Sequence, residues 1–125
     1  MKLFQLLKSL FTPAPRLSPA EAGPRIRSGD AVLIDVREPG EWAGGAAQKA
    51  ILLSLSDLTT TRSQWRRFLA ENAGKELLFY CASGGRSGIA ARILGKEGFR
   101  TANTGGLSDW TASGWPIVKP VKLGR

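Results

Sequence analysis

The chain's 125 residues include 18 lysines and arginines against 10 aspartates and glutamates, giving a net charge of +8, with no histidine and one cysteine. A lone cysteine excludes an internal disulfide, and without histidine a zinc site or a Ser-His-Asp or Cys-His arrangement within one chain is excluded as well. At 42% hydrophobic and 22% charged residues the composition is that of one soluble domain with a sizeable core, and no apolar run reaches the length of a membrane span.

Residues 2 to 11 place Leu3, Phe4, Leu6, Leu7, Leu10 and Phe11 on one helical arc and Lys2, Gln5, Lys8 and Ser9 on the other. This amphipathic helix is expected to dock on the domain's own core or on a second copy, in preference to a membrane surface. Thr12-Pro13-Ala14-Pro15-Arg16 then reads as a stiff linker, so residues 1–17 form a leader, 18–118 the domain and 119–125 a mobile basic tail.

Within the domain, Ser18-Pro19-Ala20-Glu21 carries an N-cap, a first-turn proline and a capping-box glutamate. Pro24 predicts a short or bent helix ending by Ser28-Gly29. Ala31 to Val36 is apolar and rich in β-branched residues, the pattern of a buried parallel strand, with Asp35 and Arg37 at its carboxyl end and on one side of it. A short helix from Glu38 to Ala43, a short strand from Ala50 to Leu53 and a helix from Ser56 to Asn72 follow, the last with Leu58, Trp65, Phe68 and Leu69 as core contacts.

Leu77-Leu78-Phe79-Tyr80 forms a second buried strand and runs into Cys81-Ala82-Ser83-Gly84-Gly85-Arg86-Ser87, after which a helical pattern continues to Glu97 with Gly98 as its cap. A loop between strand and helix exposes backbone N–H groups that converge with the positive end of the helix dipole, and this makes an anion cradle. Cys81 stands where the strand stops. Its sulfur would face those donors, and Arg86 nearby would favour the thiolate, which is the nucleophilic form. Gly84 and Gly85 are expected to supply positive φ angles, and Ser83 and Ser87 hydroxyl donors. Phe99 to Thr104 is a further strand, Gly105-Gly106 opens a turn before a brief helix through Trp110, and Trp115-Pro116-Ile117-Val118 closes the core.

Cys81-Ala82-Ser83-Gly84-Gly85-Arg86-Ser87 resembles the active-site loop of the rhodanese-like sulfurtransferases. Leu33-Ile34-Asp35-Val36-Arg37-Glu38 is similar to that family's first core strand and its Asp-Val-Arg-Glu signature. Glu41-Trp42-Ala43-Gly44-Gly45 with Ala50-Ile51, and Gly105-Gly106-Leu107 with Trp110 and Gly114-Trp115-Pro116, match the following and closing segments. Where the family usually has Gly-His-Ile-Pro-Gly-Ala, this chain has Gly45-Ala46-Ala47-Gln48-Lys49-Ala50, which puts the packing of that loop in question.

The resemblance implies a three-layer α/β domain with a mostly parallel sheet flanked by helices and the site at the carboxyl ends of the strands. It implies a cytoplasmic thiosulfate sulfurtransferase that needs no cofactor or metal. Sulfur would pass from a small anionic donor to Cys81 as a persulfide, then to cyanide, a thiol or a protein acceptor. Ala82, Ser83, Gly84, Gly85, Arg86 and Ser87 would bind substrate, with Arg86 neutralising the donor or holding the loop, and Asp35 and Arg37 would support the loop. Related phosphatases use Cys-x5-Arg after a histidine, whereas this chain has Cys-x4-Arg after Tyr80, a tighter ring that suits sulfur. Three other readings stay open: a persulfide carrier serving a protein partner, a phosphatase, and a silent domain in which Cys81 is a small core hydrophobe. Nucleic acid is not an expected partner, because the basic residues are scattered, Arg66-Arg67 being the one adjacent pair.

Overall fold

The structure, a computed structural model, describes residues 13–120. The expected helix over residues 2–11 and the tail over 121–125 lie outside the described residues. In chain order the elements are α1 (Pro19–Ser28), β1 (Ala31–Asp35), α2 (Pro39–Trp42), β2 (Ala46–Ala47), β3 (Ile51–Leu52), α3 (Leu55–Leu58), α4 (Trp65–Glu71), β4 (Glu76–Cys81), α5 (Gly85–Lys96), β5 (Thr101–Gly106), α6 (Leu107–Ala112) and β6 (Ile117–Val118).

The central sheet has the order β3-β1-β4-β5 with every pair parallel. Alternate residues of β1 and β4 go to opposite faces, and each face has its own core. Ile34, Leu77, Phe79, Trp65 and Leu94 fill one layer, while Leu33, Leu78, Tyr80, Ile26 and Trp110 fill the other. All ten have 7% exposure or less. The register pairs Asp35 with Tyr80, so the carboxyl ends of the two central strands lie level and both deliver polar groups there.

Pro24 does not shorten α1. It is exposed and lies inside a ten-residue helix, where it removes only its own N–H from the ladder. The cap predicted at Ser18 is present: its Oγ accepts from Glu21 N at 3.2 Å, and Glu21 Oε1 accepts from Ser18 N at 3.0 Å.

The single helix expected from Ser56 to Asn72 is instead two, and Asp57 is the cause. Its carboxylate accepts the backbone N–H groups of Ser63 at 3.2 Å and Gln64 at 2.9 Å, so it caps the second helix from within the first. Arg62 bridges the break with a positive φ of 59°.

The segment that replaces the family's histidine-containing loop is held at several points. β2 pairs antiparallel with β6, Gln48 N donates to Pro116 O at 2.8 Å, and Trp115 Nε1 donates to Gln48 O at 2.8 Å. Residues 15–17, read from sequence as linker, pair with the outer edge of β5: Asn103 N donates to Pro15 O at 2.8 Å and Leu17 N donates to Asn103 O at 3.1 Å.

Candidate active site

Cys81 ends β4 at 1% exposure, packed on its apolar side against the core layer that holds Phe79 and Leu94. Its sulfur meets donors on the other side. Gly84 N donates to Sγ at 3.0 Å, and Ser87 Oγ lies 3.4 Å from Sγ. Gly84 takes φ 100°, a conformation that L side chains rarely adopt, which turns its N–H back toward the sulfur. Gly85 has no positive φ: the helix starts there, two residues earlier than its sequence pattern suggested, so Gly85 and Arg86 belong to its first turn.

Burial pushes the Cys81 thiol up. The Ser87 hydroxyl together with the amides of Ser87, Ser83 and Gly84 outweighs it and holds the thiol below its ordinary value. The anionic form of the sulfur is therefore favoured chiefly by hydrogen bonds, with a lesser coulombic attraction to Arg86.

Arg86 is the reason no cation contributes much. Its Nη1 and Nη2 bond the two oxygens of Glu41 at 2.6 and 2.9 Å, tying α5 to α2. This pairing raises Arg86 further and brings the Glu41 carboxyl down to about 2. Of the two roles expected for Arg86, the geometry favours holding the loop; its charge is already matched. Glu41 was not singled out in the sequence, where it lies 45 residues away with no local signal to link them.

Asp35 and Arg37 are 0% and 6% exposed. Arg37 Nη2 and Nε bond the Asp35 carboxylate at 2.9 and 3.1 Å, Tyr80 OH donates to Asp35 Oδ2 at 2.6 Å, and Trp42 Nε1 donates to Oδ1 at 3.2 Å. Tyr80 OH also accepts from Ala47 N at 2.8 Å, and Arg37 Nη2 donates to Gly45 O at 2.6 Å. Burial first, and then the bond to Asp35, keeps the Tyr80 phenol well above its ordinary value and therefore neutral. Asp35 and Arg37 thus belong to a buried network that binds the residue before Cys81 to the segment from Arg37 to Ala47.

Asn103 is the hub that sequence reading missed. Its Oδ1 accepts from Ser87 Oγ at 2.8 Å and Gly105 N at 3.0 Å, and its Nδ2 donates to Gly84 O at 2.9 Å. An asparagine at mid-strand was the available signal, since a buried amide must find partners. Gly106 closes the far side: any Cβ there would strike the carbonyl of Ala82. Ala82, Ser83 and Gly85 form the exposed rim.

A family model of the Rhodanese-like domain matches residues 18–113. The chain belongs to the rhodanese-like sulfurtransferase family. An uncharacterized protein of Synechocystis is 39% identical over 99 residues, or 76% of this chain, and the chain spans about half, 51%, of that relative's length. A sulfurtransferase of Allochromatium vinosum is 32% identical over 93 residues, covering 73% of this chain and 81% of its own. The thiosulfate:glutathione sulfurtransferase of Saccharomyces cerevisiae is 30% identical over 98 residues, 66% of each chain. Among solved structures, a rhodanese-related protein from Thermoplasma volcanium superposes with a TM-score of 0.67 at 26% identity over 85% of this chain and 99% of that one. The expected rhodanese-like α/β fold is therefore the fold of this chain. Among the described residues no helix is long and apolar enough to cross a membrane.

Proposed function

We propose that this rhodanese-like chain moves a sulfane sulfur from a thiosulfate-like anion through a persulfide on Cys81 to cyanide or a thiol. The observation that carries this is the donor set around Cys81 Sγ: the Gly84 amide at 3.0 Å and the Ser87 hydroxyl at 3.4 Å, whose one proton is shared with Asn103 Oδ1.

In the first step the Cys81 thiolate attacks the outer sulfur of thiosulfate. A new S–S bond forms to Sγ, the old one breaks with its electron pair, and sulfite leaves. In the second step a cyanide or thiolate attacks the outer sulfur of the persulfide; the S–S bond breaks, its pair returns to Sγ, and thiocyanate or the acceptor's persulfide departs. The Ser83, Gly84 and Ser87 amides favour the thiolate, and in the persulfide they face the inner sulfur; as at an oxyanion hole, loss of one such donor costs about 3 kcal/mol. With Cys81 at 1% exposure, attack is limited to small or slender nucleophiles that enter over the rim of Ala82, Ser83 and Gly85. A chain with a single thiol works best in a reducing compartment, which supports a cytoplasmic setting.

The test is thiosulfate:cyanide transfer by the full chain and its Cys81→Ser variant, with mass spectrometry after thiosulfate treatment. Expected are turnover and a mass gain of one sulfur in the parent and neither in the variant. Full turnover by Cys81→Ser refutes the reading.

The pairing of Arg86 with Glu41 favours a second reading, a persulfide carrier loaded by a protein partner. With the loop arginine neutralised, a dianionic donor gains little from it. A carrier accepts one sulfur from a persulfide donor yet turns over little thiosulfate in the same assay.

A further inference from the structure

Along the outer edge of the sheet, near the starts of β4 and β5, runs an open groove of about 940 Å³. Ala91 of α5 and Ala102 of β5, both buried, lie at its base, and the half-buried Phe99 and Leu17 wall it. None of the residues from Cys81 to Ser87 lines it, so the groove is separate from the sulfur cradle. Glu76 is its one acidic lining residue, and the Arg25 guanidinium already pairs with that carboxylate at 2.9 Å.

The course of the chain leads into this groove. Residues 15–17 run parallel to β5, with Arg16 opposite Asn103, so the chain traced backwards from Pro15 heads toward the start of that strand, where Phe99 and Arg100 lie. Ala14 packs on one core layer and Leu17 on the other, which fixes the direction. Pro13 already lines the groove, and a single residue, Thr12, separates it from Phe11. Residues 2–11 contain no acid, and their six large apolar residues fall on one helical arc of about 160°. Ten helical residues span about 15 Å, too short to hold a helix in water without a surface to pack on.

We propose that the groove is the docking site of this chain's own residues 2–11, laid in as an amphipathic helix with the arc from Leu3 to Phe11 against Ala91, Phe99 and Ala102. Lys2 and Lys8 fall on the opposite arc and face water, away from the exposed Arg92 and Arg100 of the rim. The contact is apolar, because the groove's one carboxylate is already paired and the segment brings none. A second copy or a lipid surface would compete with a segment tethered one residue away, for which a short linker sets an effective concentration of about millimolar.

The experiment uses the full chain and its Leu3→Asp/Leu7→Asp variant, which puts charge on the apolar arc without touching the domain. Trypsin cleavage after Lys8 and amide hydrogen exchange over residues 91–102 are followed in both. Docking predicts slow cleavage and slow exchange in the parent, each faster in the variant by at least about tenfold, the factor that one buried leucine represents. Lys2→Gln, on the opposite arc, should leave the exchange unchanged, and so should added salt. The parent should sediment as a monomer and stay behind when phosphatidylserine vesicles are floated. Equal rates in parent and variant overturn the assignment. So does a dimer that the variant splits, which points to a second copy, or flotation that the variant abolishes, which points to a lipid surface.

Discussion

Arg86 and Glu41 are 45 residues apart in the chain and meet through both guanidinium nitrogens and both carboxylate oxygens, at 2.6 and 2.9 Å. The pair clamps the short α2 onto the first turn of α5. It also cancels the one cation that stands among the loop residues.

Glu41→Gln should therefore lower the KM for thiosulfate. Releasing a partly exposed guanidinium next to the path of a dianion is worth about a twofold to fivefold change, as for other solvent-screened pairs. Steady-state kinetics with cyanide as acceptor reads it, and a KM that stays put or rises would place Arg86 away from the donor.

The same pair gives an acid-dependent stability. The Glu41 carboxyl is depressed from 4.5 to about 2 in the folded chain. A depressed acid stabilises the fold fully above its unfolded value and loses that contribution as pH falls through the folded one. The stability gap between the parent and Glu41→Gln should thus close between about pH 4.5 and 2, followed by urea unfolding; a gap that is constant over that range contradicts the assignment.

Alkylation of Cys81 by iodoacetamide should show a midpoint below that of an ordinary thiol. Ser87→Ala removes the hydroxyl donor and should move the midpoint up, because the amides alone oppose burial less well. Were the two midpoints equal, the hydroxyl would have no part in holding the anion.

Tyr80→Phe removes a hydroxyl that serves two buried groups at once, the Asp35 carboxylate and the Ala47 N–H. A loss of about 1–3 kcal/mol is expected in chemical denaturation. Asp35→Ala, which leaves the Arg37 guanidinium buried without its partner, should cost more, about 3–5 kcal/mol.

Two glycines separate room from necessity. Gly106→Ala drives a methyl group into the Ala82 carbonyl, and overpacking of this kind costs about 1–3 kcal/mol with loss of transfer activity. Gly85→Ala meets nothing within 4 Å at a helix start without positive φ, so its stability should stay level or rise by up to about 1 kcal/mol.

The strands β1 and β4 and the glycine loop after Cys81 were legible because each rests on local pattern, β-branched or apolar runs and glycines after a strand; β2 was not, and β5 runs on to Gly106, where a turn was expected. What stayed hidden depends on register and side-chain reach. Nothing near Glu41 in the sequence points to Arg86, and only the pairing of Asp35 with Tyr80 shows that the two polar strand ends form one network. The break between α3 and α4 was missed because helical periodicity does not register that Asp57 can bond the amides of Ser63 and Gln64 instead of pointing to solvent.

Asn103 joins two structures that a domain boundary drawn at residue 18 would separate. Its main chain is stitched to Pro15 and Leu17, and its amide orients the Ser87 hydroxyl that touches the sulfur. Trimming the chain at that boundary would strip Ala14 and Leu17 from the margins of the two core layers and unfasten the outer rail on which the cradle is hung, so a shortened protein would melt earlier and hold its sulfur atom poorly as well.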